Sequence, residues 1–107
     1  MTGNNANPDF PKSVPYEGAM AHQLKDADFA TRYLNECLNE EEDLTLFLNC
    51  LRQVIDARGL SVGQLSESTH LKRENLYRIL SNKGNPEWRS LRRILSVLGL
   101  SLQIKTV

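Results

Sequence analysis

The sequence predicts an all-α domain of five helices that ends in a short β-strand. Three observations carry this. Apolar residues recur at helical spacing in five stretches between Lys25 and Leu98. Gly59 and Gly99 stand where two of those stretches should stop. Leu100–Lys105 then alternates apolar and polar residues with period two, the pattern of a half-buried strand. The chain is organised around residues 61–80, SVGQLSESTHLKRENLYRIL, which reads as a helix, a tight turn and a second helix.

The elements follow in order. Met1–Tyr16 holds Pro8, Pro11 and Pro15 with little apolar content, and residues 1–24 read as a disordered or extended segment. Residues 25–107 form the domain. Phe29, Tyr33, Leu34, Cys37 and Leu38 make one stripe on a first helix over 25–40, with Asp26 placed to cap it. The run Glu40–Asp43 marks a boundary, and Asp43 is suited to cap the next helix. Over 44–58 the apolar face is broad: Leu44, Phe47, Leu48, Leu51 and Ile55, widened by Leu46, Cys50, Val54 and Ala57. That breadth implies neighbours on two sides. Ser61 is the N-cap of the third helix. On the fourth, Leu76, Ile79 and Leu80 face inward. Ser81–Pro86 is turn chemistry, and Pro86 precedes a fifth helix with Trp88, Leu91, Ile94, Leu95 and Leu98 as its core stripe. The strand spans 100–106. With no second strand in sight, the simplest completion is a two-fold mate pairing through Leu100, Leu102 and Ile104.

Charge separates along the chain. The total is balanced at 13 basic and 13 acidic residues. Residues 1–60 carry ten acidic groups against five basic, and residues 61–107 carry eight basic against three acidic. The basic half contains the paired helices, so it is the half that would meet phosphates. The acidic half suits a basic protein partner.

The second helix of the pair presents a polar, mostly basic face suited to a DNA major groove. Arg73 and Arg78 can each reach guanine O6 and N7 with two hydrogen bonds. Glu74 can accept from a cytosine amino group or orient Arg78. Asn75 suits adenine or a phosphate, and Tyr77 a thymine methyl or a phosphate. Ser61, Lys72, Lys83, Asn85 and Arg89 are phosphate candidates, the last three around the start of the fifth helix. Arg92 and Arg93 fit either a phosphate contact or a solvated face. Trp88 is expected to pack in the core.

Other classes lack support. Cys37 and Cys50 have no CxxC spacing and read as two reduced, buried thiols. No Ser/His/Asp set, Gly-rich phosphate loop or metal-ligand spacing appears, so the expectation is a non-enzyme without cofactor or metal. Without a signal-peptide core or a long apolar run, a cytoplasmic protein with no membrane partner is expected.

The stretches LKDADFATRYLNECLNEEEDLTLFLNCLRQVIDARG and LSVGQLSESTHLKRENLYRILSNKGNPEWRSLRRILSVLGLSLQIK resemble the addiction-module antidote proteins. These are antitoxins of type II toxin–antitoxin pairs with a Cro/repressor-type (XRE) helix-turn-helix. LYRILSNKGNP and ILSVLGL are the most characteristic strings. The resemblance implies a lambda-repressor-like DNA-binding domain. It also implies a homodimer on a palindromic operator, autorepression of its own operon, and neutralisation of a small basic RelE/ParE-like toxin. The chain departs from the family pattern at His70, where Gly is common, at Lys72, where Ser or Thr is common, and at Val62, where Gln is common. Two further readings stay open: a stand-alone Cro/repressor-type regulator, and a protein-interaction module with weak DNA binding.

Overall fold

A computed structural model describes residues 20–40, 44–81 and 85–107. A 3₁₀ turn, Gln23–Lys25, leads into five helices: α1 (Ala27–Glu40), α2 (Thr45–Ala57), α3 (Val62–Thr69), α4 (Arg73–Ile79) and α5 (Trp88–Val97). Leu24 is fully buried and Met20 packs against the core. Packing therefore begins ahead of residue 25.

The helix α2 is the central strut. Phe47, Leu48, Cys50, Leu51, Val54 and Ile55 are all buried, and so are Arg52, Gln53 and Asp56. A helix buried all round must have partners all round. On one side lies α1, which contributes Ala30, Leu34 and Cys37. On the other, two α2 arginines reach the ends of later helices. Arg52 donates to the Leu80 carbonyl (3.0 Å), just past α4, and Arg58 donates to the Leu98 carbonyl (2.7 Å), just past α5. Carbonyls at helix C-termini lack intrahelical partners and carry partial negative charge, so guanidinium groups satisfy them well. Both α4 and α5 pack on α3 or its neighbours through Val62, Leu65, Leu76, Ile79, Leu91, Ile94 and Leu95.

The stops follow the glycines. Gly59 (φ +69°) and Gly99 (φ +77°) adopt the left-handed conformation after α2 and α5. Leu60 N–H bonds Ile55 C=O and Leu100 N–H bonds Leu95 C=O, the six-to-one bond of a Schellman ending.

Four expectations are corrected. The strand expected at 100–106 does not form; among the described residues there is no strand at all to supply a ladder. The cysteines are not free: Cys37 and Cys50 form a disulfide between α1 and α2, with Cα atoms 6.7 Å apart. The α1 and α2 stripes turn both residues into the same interface, which spacing along the chain does not reveal. Trp88 is 58% exposed rather than a core residue; it sits at the first position of α5, at the edge of the stripe that buries Leu91, Ile94 and Leu95. The N-cap of α2 is Leu44, which makes no side-chain capping bond. Asp43 lies outside the described residues.

Candidate nucleic-acid interface

The pair α3–α4 is built around a three-residue turn, 70–72. Ser61 begins it with a capping box: its hydroxyl accepts from the Gln64 amide (3.1 Å), and the Gln64 side chain accepts from the Ser61 amide (2.8 Å). Two of the orphan donors at the helix start are satisfied reciprocally. The Ser-x-x-Gln spacing signals this box in the sequence.

The turn is locked by side chains. His70 takes φ +63°, a left-handed position that Gly fills at no steric cost. Its amide bonds the Ser66 carbonyl (2.9 Å). The Thr69 hydroxyl donates to Leu65 C=O (2.6 Å) and accepts from Leu71 N–H (3.2 Å), while the Ser66 hydroxyl donates to Leu71 C=O (2.6 Å). Arg93 of α5 adds a long contact to the Thr69 carbonyl (3.4 Å). Together these bonds fix how α4 leaves α3. Lys72, the N-cap of α4, makes no side-chain capping bond.

Helix α4 buries Leu76 and Ile79 and leaves Arg73, Glu74, Tyr77 and Arg78 exposed, with Asn75 half-buried. Two of the base-reading candidates act as a unit: Arg78 Nη2 donates to Asn75 Oδ1 at 2.6 Å. The orienting partner of Arg78 among these bonds is therefore Asn75, not Glu74. Both residues border two hollows. One, of about 410 Å³, lies between α4 and the approach to α5 and is also lined by Asn85, Glu87 and Ser90; the other runs back along Lys72 and His70.

Arg73 occupies a place that the sequence did not indicate. Its guanidinium lies over Gly63, so that a Cβ at 63 would fall 2.8 Å from Arg73 Nη2 and 3.7 Å from Ser61 Oγ. The start of α3, its serine hydroxyl and an arginine are thus gathered in one spot, and Gly63 is the residue that leaves room. Sequence reasoning missed Gly63 because a glycine within a helix ordinarily reads only as a weak position.

The remaining candidates separate. Asn85 shares the first hollow with Asn75 and Arg78. Arg89 lines a different one, with Trp88, Arg92, Arg93 and Ser96 on the outer face of α5. Lys83 lies outside the described residues. Leu100 and Leu102 are half-buried against their own core, and Ile104 is wholly exposed. Among the described residues no group of three His, Cys, Asp or Glu could hold a metal ion, and no helix is long and apolar enough to cross a membrane.

These features define a small helical protein with a tightly locked helix pair that exposes Lys72, Arg73 and Arg78, beside a second basic face on α5 with Arg89, Arg92 and Arg93. The comparisons place it further. Residues 16–106 match the family described as "Probable addiction module antidote protein". The chain belongs to that family. It is also 34% identical over 95 residues to an uncharacterised protein of Haemophilus influenzae, an alignment covering 80% of this chain and 95% of that one. No solved structure matches the chain. Family membership supports an antitoxin role, and an antidote implies a toxin as its partner.

Proposed function

We propose that this antidote is a sequence-specific DNA-binding protein that represses its own operon and neutralises a RelE/ParE-like toxin. The domain is read as lambda-repressor-like, with α3–α4 as an XRE-type helix-turn-helix. It binds partners and catalyses no reaction. The observation that carries the DNA reading is the Asn75–Arg78 pair on α4. It is pre-set by a 2.6 Å hydrogen bond and borders two hollows, with Arg78 exposed, while Leu76 and Ile79 anchor the helix behind it. A guanidinium held in a fixed orientation suits the two acceptors of a guanine edge. Arg73 with Ser61, at the start of α3, suits a phosphate, because amides, a hydroxyl and a cation converge there.

Two copies on a palindromic site would present two α4 helices one helical turn of DNA apart. Leu100 and Leu102 are engaged with their own chain, so Ile104 is the member of that set left for a second copy to cover. The toxin reading rests on the family and on the acidic excess of residues 1–60, which suits a basic partner.

The test has two arms. Binding to the promoter of its own operon is titrated at several salt concentrations; specific binding with a steep salt slope is expected. Co-expression with the product of the adjacent small open reading frame is scored for growth rescue and co-purification. Promoter binding that is no stronger than binding to unrelated DNA removes the repressor reading. Absence of both rescue and complex removes the toxin reading.

A further inference from the structure

We propose that Cys37 and Cys50 are a reversible redox staple that controls how firmly α1 is docked on the rest of the fold. The packing of the molecule is divided. Helices α4 and α5 both pack on α3, whereas α1 packs mainly on α2 and the 3₁₀ turn. It is held there by the burial of Ala30 and Leu34, by Phe29, Tyr33 and Leu38 packed against the core, by a hydrogen bond from the Tyr33 hydroxyl to Gln53 Oε1, and by the disulfide. The disulfide is the covalent tie, and it joins α1 to the central helix. Cys37 is 6% exposed and Cys50 2%. Small reagents therefore reach the sulfurs when α1 lifts, so docking and redox state are linked by access as well as by the bond itself.

The oxidant is a small disulfide of the glutathione class. The less buried Cys37 thiolate attacks one sulfur of that disulfide and forms a mixed disulfide, releasing one glutathione thiolate. The Cys50 thiolate then attacks the Cys37 sulfur, and the second glutathione thiolate leaves. Two protein thiols are oxidised, one glutathione disulfide is reduced to two glutathiones, and the protons lost by the protein thiols go to the departing thiolates. Reduction runs the same steps backwards. One consequence rests on the antitoxin reading: the surface that α1 offers to a toxin is fixed in the oxidised chain and loosened in the reduced one.

The experiment is amide hydrogen exchange on the full chain, equilibrated in glutathione buffers from oxidising to reducing, with thiol titration alongside. Reduction is expected to speed exchange of α1 amides tenfold or more while α3 and α4 amides keep their rates. A Cys37→Ala/Cys50→Ala double variant should show the fast α1 rate in every buffer. The comparison of oxidised and reduced wild-type chain stands without it. Three outcomes overturn the proposal: α1 exchange unaffected by reduction, equal acceleration in every helix, or two free thiols in every buffer. No toxin is present in this measurement, so its failure leaves the antitoxin reading intact.

Discussion

Arg73 lays its guanidinium across Gly63, ten positions back along the chain and on the preceding helix, so closely that a Cβ at 63 would meet Arg73 Nη2 at 2.8 Å. The contact crosses the turn that joins α3 to α4, and it brings the arginine next to Ser61. A glycine inside a short helix costs about 1 kcal/mol relative to alanine. Here it makes the room in which the arginine side chain lies.

Gly63→Ala separates stability from binding. The displaced atom is the end of a flexible side chain, so Arg73 can move aside and the helix gains propensity. The melting temperature should hold or rise. Affinity for promoter DNA should fall about tenfold, roughly 1.4 kcal/mol, as a phosphate contact is lost. Arg73→Ala should give the same loss, with a reduced salt slope and no change in preferred sequence. A Gly63→Ala chain that binds as tightly as wild type rules out a role for the Arg73 position seen here.

The Asn75–Arg78 pair calls for a double-mutant cycle. If Arg78 reads a base, Arg78→Ala costs about 1–3 kcal/mol and relaxes specificity at one base pair. Asn75→Ala should cost part of the same energy, because its carbonyl oxygen holds the guanidinium at 2.6 Å. The double variant should then be less impaired than the sum of the singles. Strict additivity in a mobility-shift titration would show that the two residues act independently on DNA.

Much of this fold is legible in the sequence where the determinant is local. Gly59 and Gly99 mark left-handed stops because the need for positive φ is written in a single residue. Ser61 marks a helix start because its partner, Gln64, lies three residues on. What the sequence leaves open depends on register between elements. The Cys37–Cys50 bond requires knowing how α1 turns against α2. Trp88 falls near the edge of the α5 apolar stripe, where periodicity alone cannot separate a covered residue from an exposed one; the chain instead buries Ser90. The strand expected at 100–106 fails for a related reason. Alternation describes which side of a segment is apolar, but a ladder needs a second strand, and the described residues contain none.

At His70 the expectation concerns backbone strain. The residue sits at φ +63°, and its side chain is exposed. His70→Val should destabilise the chain by about 1–2 kcal/mol, because a β-branched side chain is poorly accommodated in the left-handed region. His70→Gly should change stability by less than about 1 kcal/mol, as relief of strain is offset by the greater freedom of the unfolded chain. Urea unfolding of the two variants checks both. Equal stability of the Val and Gly variants would contradict a left-handed backbone at this turn.

Trp88 and Leu65 make a matched comparison. A mostly exposed tryptophan loses little when cut back, so Trp88→Ala should cost less than about 1 kcal/mol. Leu65 is fully buried behind the helix pair, and Leu65→Ala should cost about 2–5 kcal/mol through lost burial and the cavity left behind. Reversal of that order in denaturant unfolding would return Trp88 to the core.

The last expectation concerns the segment after Leu102. Ile104 is 103% exposed and Val107 127%, on a stretch whose backbone groups have no ladder to join among the described residues. Burial of such a side chain between two copies contributes to association without entering the fold of either one. Ile104→Asp should therefore leave the unfolding free energy of the monomer unchanged while shifting the chain from dimer to monomer in sedimentation equilibrium. Promoter affinity should fall along with it, because a single copy engages one half-site where a dimer engages two. Leu102→Asp should behave differently. Leu102 packs against its own core, so a charge there destabilises the monomer as well. A monomeric wild-type chain at micromolar concentration would remove the proposed homodimer, and an Ile104→Asp chain that dimerises normally would assign the two-fold contact to another surface.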